Sequence, residues 1–529
     1  MNLCLSMSKA LSLCPDREAI VDHHKRFTYR DFGKRVANLS QCLLQMELKQ
    51  GEAVAILSHN CHEYMEIYYA CAATGIVLVP LNYRLSALEI ASILADAEAK
   101  ALFVHPALAP VAEELLGGSY KLSQVIWLSG VSGGAKSSEG LDYEEMVTTG
   151  SGEFPGGLPW LKQDDLAQLY YTSGTTGRPK GVMLSHGNVA FNALGAIAEL
   201  SLSDADTWIH AAPLFHLADA WSIFALTWVG AKHVFVSQFQ STEVLQAIEQ
   251  ESVTLTVLVP TMLNALLADE RVGQFSYRTL RLILTGGSPI APEVVKKTIS
   301  TFGCEYVQLY GMTETSPFLT LSLPKFNQRE LSENEQIDTR ARTGRPYIGA
   351  EVKVVRADGN EVLRNNVDVG EIIARGPTVT LGYWKQPEAT AETIRNGWIY
   401  TGDLAVLDEH GSINIVDRQK DMIISGGENV YSTEVEYALY EHPSVQECAV
   451  FGVPDERWGE AVQAAVVKRL GFESVSDIDI IDFVRQRLAR YKAPRSIEFY
   501  SELPKTGSGK IYKKALREKH WQGRVKQVN

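Results

Sequence analysis

The sequence predicts a layered α/β protein that ends in a separate, smaller α+β domain. Three observations predict it. Short apolar runs alternate with stretches of helical period from residue 19 past residue 300, the pattern of largely parallel strands covered by helices. Between residues 352 and 415 the strands shorten and turns replace helices, as in a small β subdomain. The charged run Asp417-Arg418-Gln419-Lys420-Asp421 and the turn Ser425-Gly426-Gly427 then mark a boundary, and the remainder has the size of a small domain. A chain of 529 residues exceeds one core, and the expected division is 1–419 and 420–529.

Hydrophobic content of 45% and charged content of 21% are those of a globular protein. A net charge of −13 argues against general nucleic-acid binding but not against small anions, which need only local positive charge. The seven cysteines are scattered with no Cys-x-x-Cys pair, which points to a reducing, cytoplasmic compartment and away from structural zinc. Ser6, Ser8 and Lys9 interrupt the apolar start, so a short amphipathic helix is expected there rather than a signal peptide. No window reaches the roughly 18 apolar residues of a membrane span. Oligomeric state is open, with room for a homodimer.

In order, Ala19-Ile20-Val21 and Arg26 to Tyr29 read as short strands. Asp31 to Leu48 is helical, with Val36, Leu39, Leu43 and Leu44 on one side. Strand Glu52–Leu57, helix Glu63–Thr74 and strand Val77–Pro80 follow. Leu116-Gly117-Gly118-Ser119 imitates a carrier-attachment motif but reads as a loop. Leu166 to Tyr171 is a buried strand. Ala211 to Val236, with Phe215, His216, Trp221 and Phe224, is a helix whose faces serve the core and an acyl pocket; Asp219 points to a polar substituent or to solvent. Leu282–Thr285 and Tyr306–Tyr310 are strands, each ending in a glycine turn. Phe326 to Arg342 is polar and without period, and is expected to be an exposed loop. Beyond the boundary lie helix Thr433–Glu441, strands Glu447–Gly452 and Ala461–Val467, and helix Ile478–Leu488. The basic run from Lys510 is in part a solvated helix.

The chemistry concentrates in Tyr171-Thr-Ser-Gly-Thr-Thr-Gly-Arg-Pro-Lys-Gly181. Glycines allow close backbone approach, hydroxyls and amides donate to phosphate oxygens, and Lys180 adds a charge. It is not a Walker loop, because Arg-Pro separates Gly177 from Lys180. Gly286-Gly287-Ser288-Pro289 and Tyr310-Gly311-Met312-Thr313-Glu314 lie at strand exits, where open sheets bind ligands. Tyr310 can stack on a base; Thr313 and Glu314 are oxygen ligands of the kind Mg²⁺ takes.

Together these stretches resemble the adenylate-forming superfamily of acyl-CoA synthetases, firefly-type luciferases and peptide-synthetase adenylation domains. Thr401-Gly402-Asp403, Arg418, Gly426-Gly427 and Lys510 complete the family's ordered set over nearly the whole chain. The resemblance implies two α/β subdomains plus a small β-barrel, with a mobile C-terminal domain. It implies that Thr172, Ser173, Gly174, Thr175, Thr176, Gly177 and Lys180 hold phosphates, and that Tyr310, Gly311 and the Gly287-Ser288-Pro289 turn flank the adenine. Asp403 and Arg418 bind ribose. Glu314 and Thr313 sit at Mg²⁺ and the α-phosphate, and His216 borders the acyl pocket. Lys420 is the hinge, Lys510 bridges carboxylate and α-phosphate, and Gly426 and Gly427 flank pantetheine.

The activity implied is ATP + carboxylic acid + coenzyme A giving acyl-CoA + AMP + pyrophosphate, with a medium- or long-chain fatty acid as substrate. The alternative is an aryl or alicyclic acid, or an enzyme of the same superfamily that stops at acyl-AMP or acts as a luciferase. An amino-acid-activating domain would carry Phe-Asp where this chain has Phe215-His216. A dead nucleotide-binding regulator would not need Lys510, Glu314 and Asp403 intact.

Overall fold

In the computed structural model the strand–helix alternation folds into two large sheets with helices between and around them. The structure describes all residues except 118–121, 130–139, 151, 173–178, 325, 329, 508 and 522–529. One sheet has nine strands. Glu305–Gly311, Leu282–Gly286, Leu255–Leu258, Thr207–His210, Lys232–Phe235 and Glu18–Asp22 run parallel through its middle. Antiparallel strands close it: Phe318–Leu321 and Arg345–Pro346 on one side, Lys25–Thr28 on the other. The other sheet has eight strands, with Leu166–Thr172, Val77–Pro80, Ala53–Leu57 and Ala101–Val104 at its centre.

Helix His62–Thr74 touches both sheets, and every residue of it is buried. A helix covered on all sides needs no polar stripe. Helix Leu217–Val229 is nearly as buried, packing on helices Cys4–Leu13 and His186–Glu199. The N-terminal segment is thus a helix, as expected, with Cys4, Ser6, Met7 and Ala10 buried in the main core.

Helix Tyr29–Gln45 buries Val36, Leu39 and Leu43, but Leu44 is 45% exposed and lies off the predicted face. A second correction concerns 326–342, expected as a loop. Glu333–Ala341 is a helix that begins with a reciprocal Ser332–Glu335 capping box and buries only Ile337 and Ala341. Two buried positions in nine leave too little apolar period to see, though the Ser-x-x-Glu start was visible. The carrier-like motif begins at the end of helix Ala109–Leu116; its Gly118 and Ser119 lie outside the described residues.

Glu351–Val355, Gly370–Arg375, Trp398–Leu407, Ile413–Arg418 and Ile394–Arg395 form a five-stranded antiparallel layer. The C-terminal sheet is separate. Val445–Asp455 pairs with Gly459–Lys468, flanked by Ile423–Ser425 and Ser496–Tyr500. Ser432–Tyr440 and Asp477–Arg485 cover it over their own apolar core. Asp417, the penultimate residue of its strand, accepts from the Ser432 amide at 2.6 Å and the Ser432 hydroxyl at 3.0 Å, tying the last β layer to the first C-terminal helix.

Candidate active site

The site grows from the ends of these strands. Leu166–Thr172 and Lys180–Ser185 are antiparallel neighbours, with Thr172 opposite Lys180. The hydroxyl-rich loop is therefore a hairpin connection with Thr172 and Lys180 at its neck; Ser173, Gly174, Thr175, Thr176 and Gly177 lie outside the described residues. The outgoing arm runs straight into a helix. Ser185 ends the strand and caps helix His186–Glu199 through a reciprocal box with Asn188, a feature worth about 1 kcal/mol. Lys180 Nζ sits 4.8 Å from the ring centre of Tyr383, whose hydroxyl donates to Glu314 Oε1 at 2.9 Å. The neck of the loop is thereby linked to the second strand exit.

At that exit strand Glu305–Gly311 passes into a short turn, Thr313–Thr315. Glu314 is only 7% exposed. Burial raises its carboxyl above the ordinary range, partly offset by Tyr383, Lys180 and Arg418. Tyr310 donates its hydroxyl to Asp403 Oδ2 at 2.7 Å, while Arg418 Nε lies 3.2 Å from Asp403 Oδ1. Asp403 and Arg418 face each other across paired strands, so the ladder itself sets this contact. Gly311 has no room for a side chain: a Cβ would lie 1.7 Å from the Pro317 carbonyl oxygen.

The 286–289 turn is pinned from below by Gln308, whose Nε2 donates to the Ser288 carbonyl at 2.9 Å. Gly287 has φ +89°, and a Cβ there would meet Lys510 Cε at 2.7 Å. Lys510 comes from the C-terminal domain. Its loop is shaped by a Thr506 N–H bond to the Lys510 carbonyl at 2.7 Å and by a positive φ of +85° at Gly509. Among the described residues two bonds dock it: Arg84 Nη1 to the Gly507 carbonyl at 2.6 Å, and Thr261 Oγ1 to the Gly509 carbonyl at 3.0 Å. Gly507 abuts Asn82, where a Cβ would be 1.9 Å from the amide nitrogen.

Burial, and then the Arg418 guanidinium, push the Lys510 ammonium down to about 8; Asp403 and Glu314 pull the other way. His216 caps helix Leu217–Val229, its Nδ1 accepting from Ala218 N–H at 3.1 Å. Burial and the Lys510 charge hold it down at about 3, so it is neutral. The structure thus brings Lys510 against Gly287 and within electrostatic reach of His216, Arg418, Asp403 and Glu314, with Tyr310 bonded to Asp403 and Lys180 joined to Glu314 through Tyr383.

Others stand apart. Gly426 and Gly427 form a hairpin turn packed on Trp458, with the Gly426 N–H on the Trp458 carbonyl at 2.8 Å. Lys420 lies in the turn after Arg418, and its carbonyl accepts from Arg517 at 3.2 Å. Asp219 does neither of the things expected of it. It is fully buried and takes bonds from Trp208 Nε1 at 2.9 Å and Ser222 Oγ at 3.1 Å, with His210 Nδ1 at 3.1 Å. Tyr383, Arg84, Asn82, Thr261 and Gln308 were not anticipated. The contacts that bring them to the site join residues distant in sequence and leave no local pattern.

Glu314 and Thr313 offer the hard oxygens that Mg²⁺ takes, and the Tyr383 hydroxyl bonds one oxygen of the Glu314 carboxylate.

Residues 8–384 match the model of the AMP-binding enzymes, and residues 434–510 match that of the AMP-binding enzyme C-terminal domain. A feruloyl-CoA synthase of an Amycolatopsis species is 38% identical over 508 residues, 96% of both chains. A fatty acid–acyl-carrier-protein ligase of Streptomyces coeruleorubidus is 33% identical, covering 97% of this chain and 96% of its own. The solved anthranilate–CoA ligase in complex with anthranoyl-AMP superposes with a TM-score of 0.89 at 26% identity, over 98% of this chain and 97% of that one. With both family models matched in order and relatives aligned from end to end, the chain belongs to the adenylate-forming AMP-binding enzymes, as an acid–thiol ligase.

Proposed function

We propose that this enzyme joins an apolar carboxylic acid to coenzyme A through an acyl-adenylate, releasing pyrophosphate and then AMP. The observation that carries the reading is the place of Lys510, laid over Gly287 and beside His216 in a cleft also lined by Asp403, Arg418 and Glu314. A carboxylate is a weak nucleophile, and the phosphates of ATP repel it. The Lys510 ammonium bridges the acid's carboxylate and the α-phosphate, offsetting charge as the new C–O–P link forms. Lys180 and the 172–177 loop take the β- and γ-phosphates and hold pyrophosphate as it leaves. Asp403, oriented by Tyr310 and Arg418, takes the ribose hydroxyls. Tyr310 and the 287–289 turn flank the adenine. Glu314 and Thr313 would hold Mg²⁺, which would supply further positive charge at the phosphates. His216, neutral at working pH, borders the acyl group without adding charge.

The second half-reaction needs the thiol to approach the face that Lys510 covers. The C-terminal domain, residues 420–529, therefore turns about Lys420, withdrawing Lys510 and bringing the Gly426-Gly427 turn to pantetheine. The seven free cysteines suit a reducing, cytoplasmic setting. The test is pyrophosphate release across a panel of acids, followed by AMP release on adding coenzyme A. Pyrophosphate without AMP would make the enzyme an acyl-adenylate ligase. No pyrophosphate with any acid would overturn the reading.

A further inference from the structure

The C-terminal domain is tied to the large one at a second place, beside Lys420. Strand Ile413–Arg418 ends with Asp417 and Arg418, and the two face different partners. Arg418 meets Asp403; Asp417, paired with Leu404 in the same ladder, is 3% exposed and faces the first C-terminal helix. Ser432 opens that helix and is fully buried. Its N–H and its hydroxyl both donate to the Asp417 carboxylate, at 2.6 and 3.0 Å. The same hydroxyl accepts from Lys513 Nζ at 2.7 Å, and Lys513 pairs with Glu436 at 2.7 Å. Lys513 begins helix Lys513–Glu518, just after Lys510 in the chain. One turn on, Arg517 Nη1 reaches the Lys420 carbonyl and Asp421 Oδ1, each at 3.2 Å. A hydrogen-bonded line therefore runs from the strand that carries Arg418, through Ser432, to the helix that follows Lys510.

The line is built to part at one point. Ser432, Glu436 and Lys513 belong to the C-terminal domain, whereas Asp417 is fixed in the β layer. A turn about Lys420 moves Ser432 away from Asp417 and leaves Lys513 on Ser432 and Glu436. Burial pushes the Asp417 carboxyl up, and Lys513 and the Ser432 donors oppose that push. A buried charge held in this way gains little over the same groups in water, because rehydration replaces what is lost. An apolar seam would resist separation in proportion to its area.

We infer that Asp417, Ser432 and Lys513 form a detachable bridge that positions Lys510 for adenylation and must open before thioester formation. They are positioning residues: each acts through the seat of Lys510 rather than on the reacting atoms. The inference rests on the domain turn proposed above and adds the contact that the turn must break.

The experiment uses the full-length enzyme with Ser432→Pro and Asp417→Asn. Proline suits the first helical position, and Tyr431 before it is extended at φ −85° and ψ 120°, so the helix keeps its start while both donors to Asp417 are lost. Asp417→Asn removes the charge with little change of shape. Trypsin cleavage after Arg418 or Lys420, mapped by mass, should be about fivefold faster or more in both variants, since cleavage follows the population of the opened form. Adenylation, followed as ATP–pyrophosphate exchange on whichever of cinnamate, butanoate and dodecanoate the wild type uses best, should fall about tenfold, the scale of a hydrogen bond to a charged group. Thioester formation from the matching pre-made acyl-adenylate should hold or rise. In a Lys510→Ala background the same substitutions should change adenylation by less than about twofold, because the residue they position is gone. Losses of equal size in the two half-reactions, or an undiminished loss in the Lys510→Ala background, would reduce the bridge to a matter of fold and overturn the inference. Wild-type trypsin rates in both variants would overturn it too. If no acid supports exchange, the ligase reading fails, and the trypsin rates still decide whether the bridge holds the domains. Should Ser432→Pro not fold by its melting curve, Asp417→Asn decides.

Discussion

Asp403 meets Tyr310 and Arg418 within one domain, Arg418 across paired strands, whereas Lys510 reaches the same group of residues from another domain on a loop docked by Arg84 and Thr261. The first face is held by sheet ladders and by glycines with no spare volume. The second is held by two hydrogen bonds to backbone carbonyls, one from an exposed arginine, and by an ammonium that burial disfavours. The difference teaches which half of the site is permanent and which is removable. A permanent group serves both half-reactions; a removable one can serve only one.

The sharpest way to break this contrast is to compare one residue from each face. Lys510→Ala should slow adenylation by roughly 10²–10³-fold, the scale of one lost transition-state contact. Thioester formation from pre-made acyl-adenylate should stay near normal. Asp403→Ala should depress both half-reactions. Equal losses for Lys510→Ala in the two steps, measured separately, would erase the distinction.

Next in size, Gly311→Ala forces a Cβ against the Pro317 carbonyl and should cost about 3 kcal/mol of stability or more, read as a lowered Tm. On the docked loop, Gly509 has only the side chains of Val259 and Thr261 nearby, at 3.3 and 3.4 Å. Gly509→Ala should leave the global melting transition within about 1 kcal/mol of wild type and strike adenylation instead.

A pH profile sharpens the same point. Docked Lys510 holds its proton less firmly than a free lysine, losing it near pH 8 where an exposed one would keep it to about 10.5. Adenylation uses the ammonium, so its kcat/KM should fall as pH rises through about 8, by about tenfold per unit beyond. Lys510→Arg should move that limb out of range, because the guanidinium stays charged. An identical alkaline limb in the arginine variant would assign it elsewhere. The smallest effect expected is from Arg84→Ala, which removes one docking bond worth about 1 kcal/mol and should slow adenylation a few-fold. Its effect on half-reactions begun from acyl-adenylate checks whether Arg84 has a second role.

What was legible in the sequence follows the same divide. Strand exits rich in glycine and hydroxyls announce themselves locally, which is why 171–181, 286–289 and 310–314 could be placed on strand ends that the structure then displays. The layered class was legible because buried strands and covered helices leave runs of apolar residues. Tyr383, Arg84 and Gln308 were not, because their bonds to Glu314, Gly507 and Ser288 join residues distant in sequence, and an isolated Tyr, Arg or Gln looks the same on any surface. Asp219 misled for a related reason: an acid near a pocket motif suggests a ligand, while its partners Trp208 and His210 lie on the strand before its helix. Helix Glu333–Ala341 was overlooked because it buries too little to show a period.

The glycine at 311 has a further consequence, for how such an enzyme can change over generations. Its backbone is pressed so closely on the Pro317 carbonyl that the hairpin carrying Tyr310 and Phe318 cannot be rebuilt one residue at a time. Drift in substrate range is thereby channelled onto side chains that project from a frozen frame.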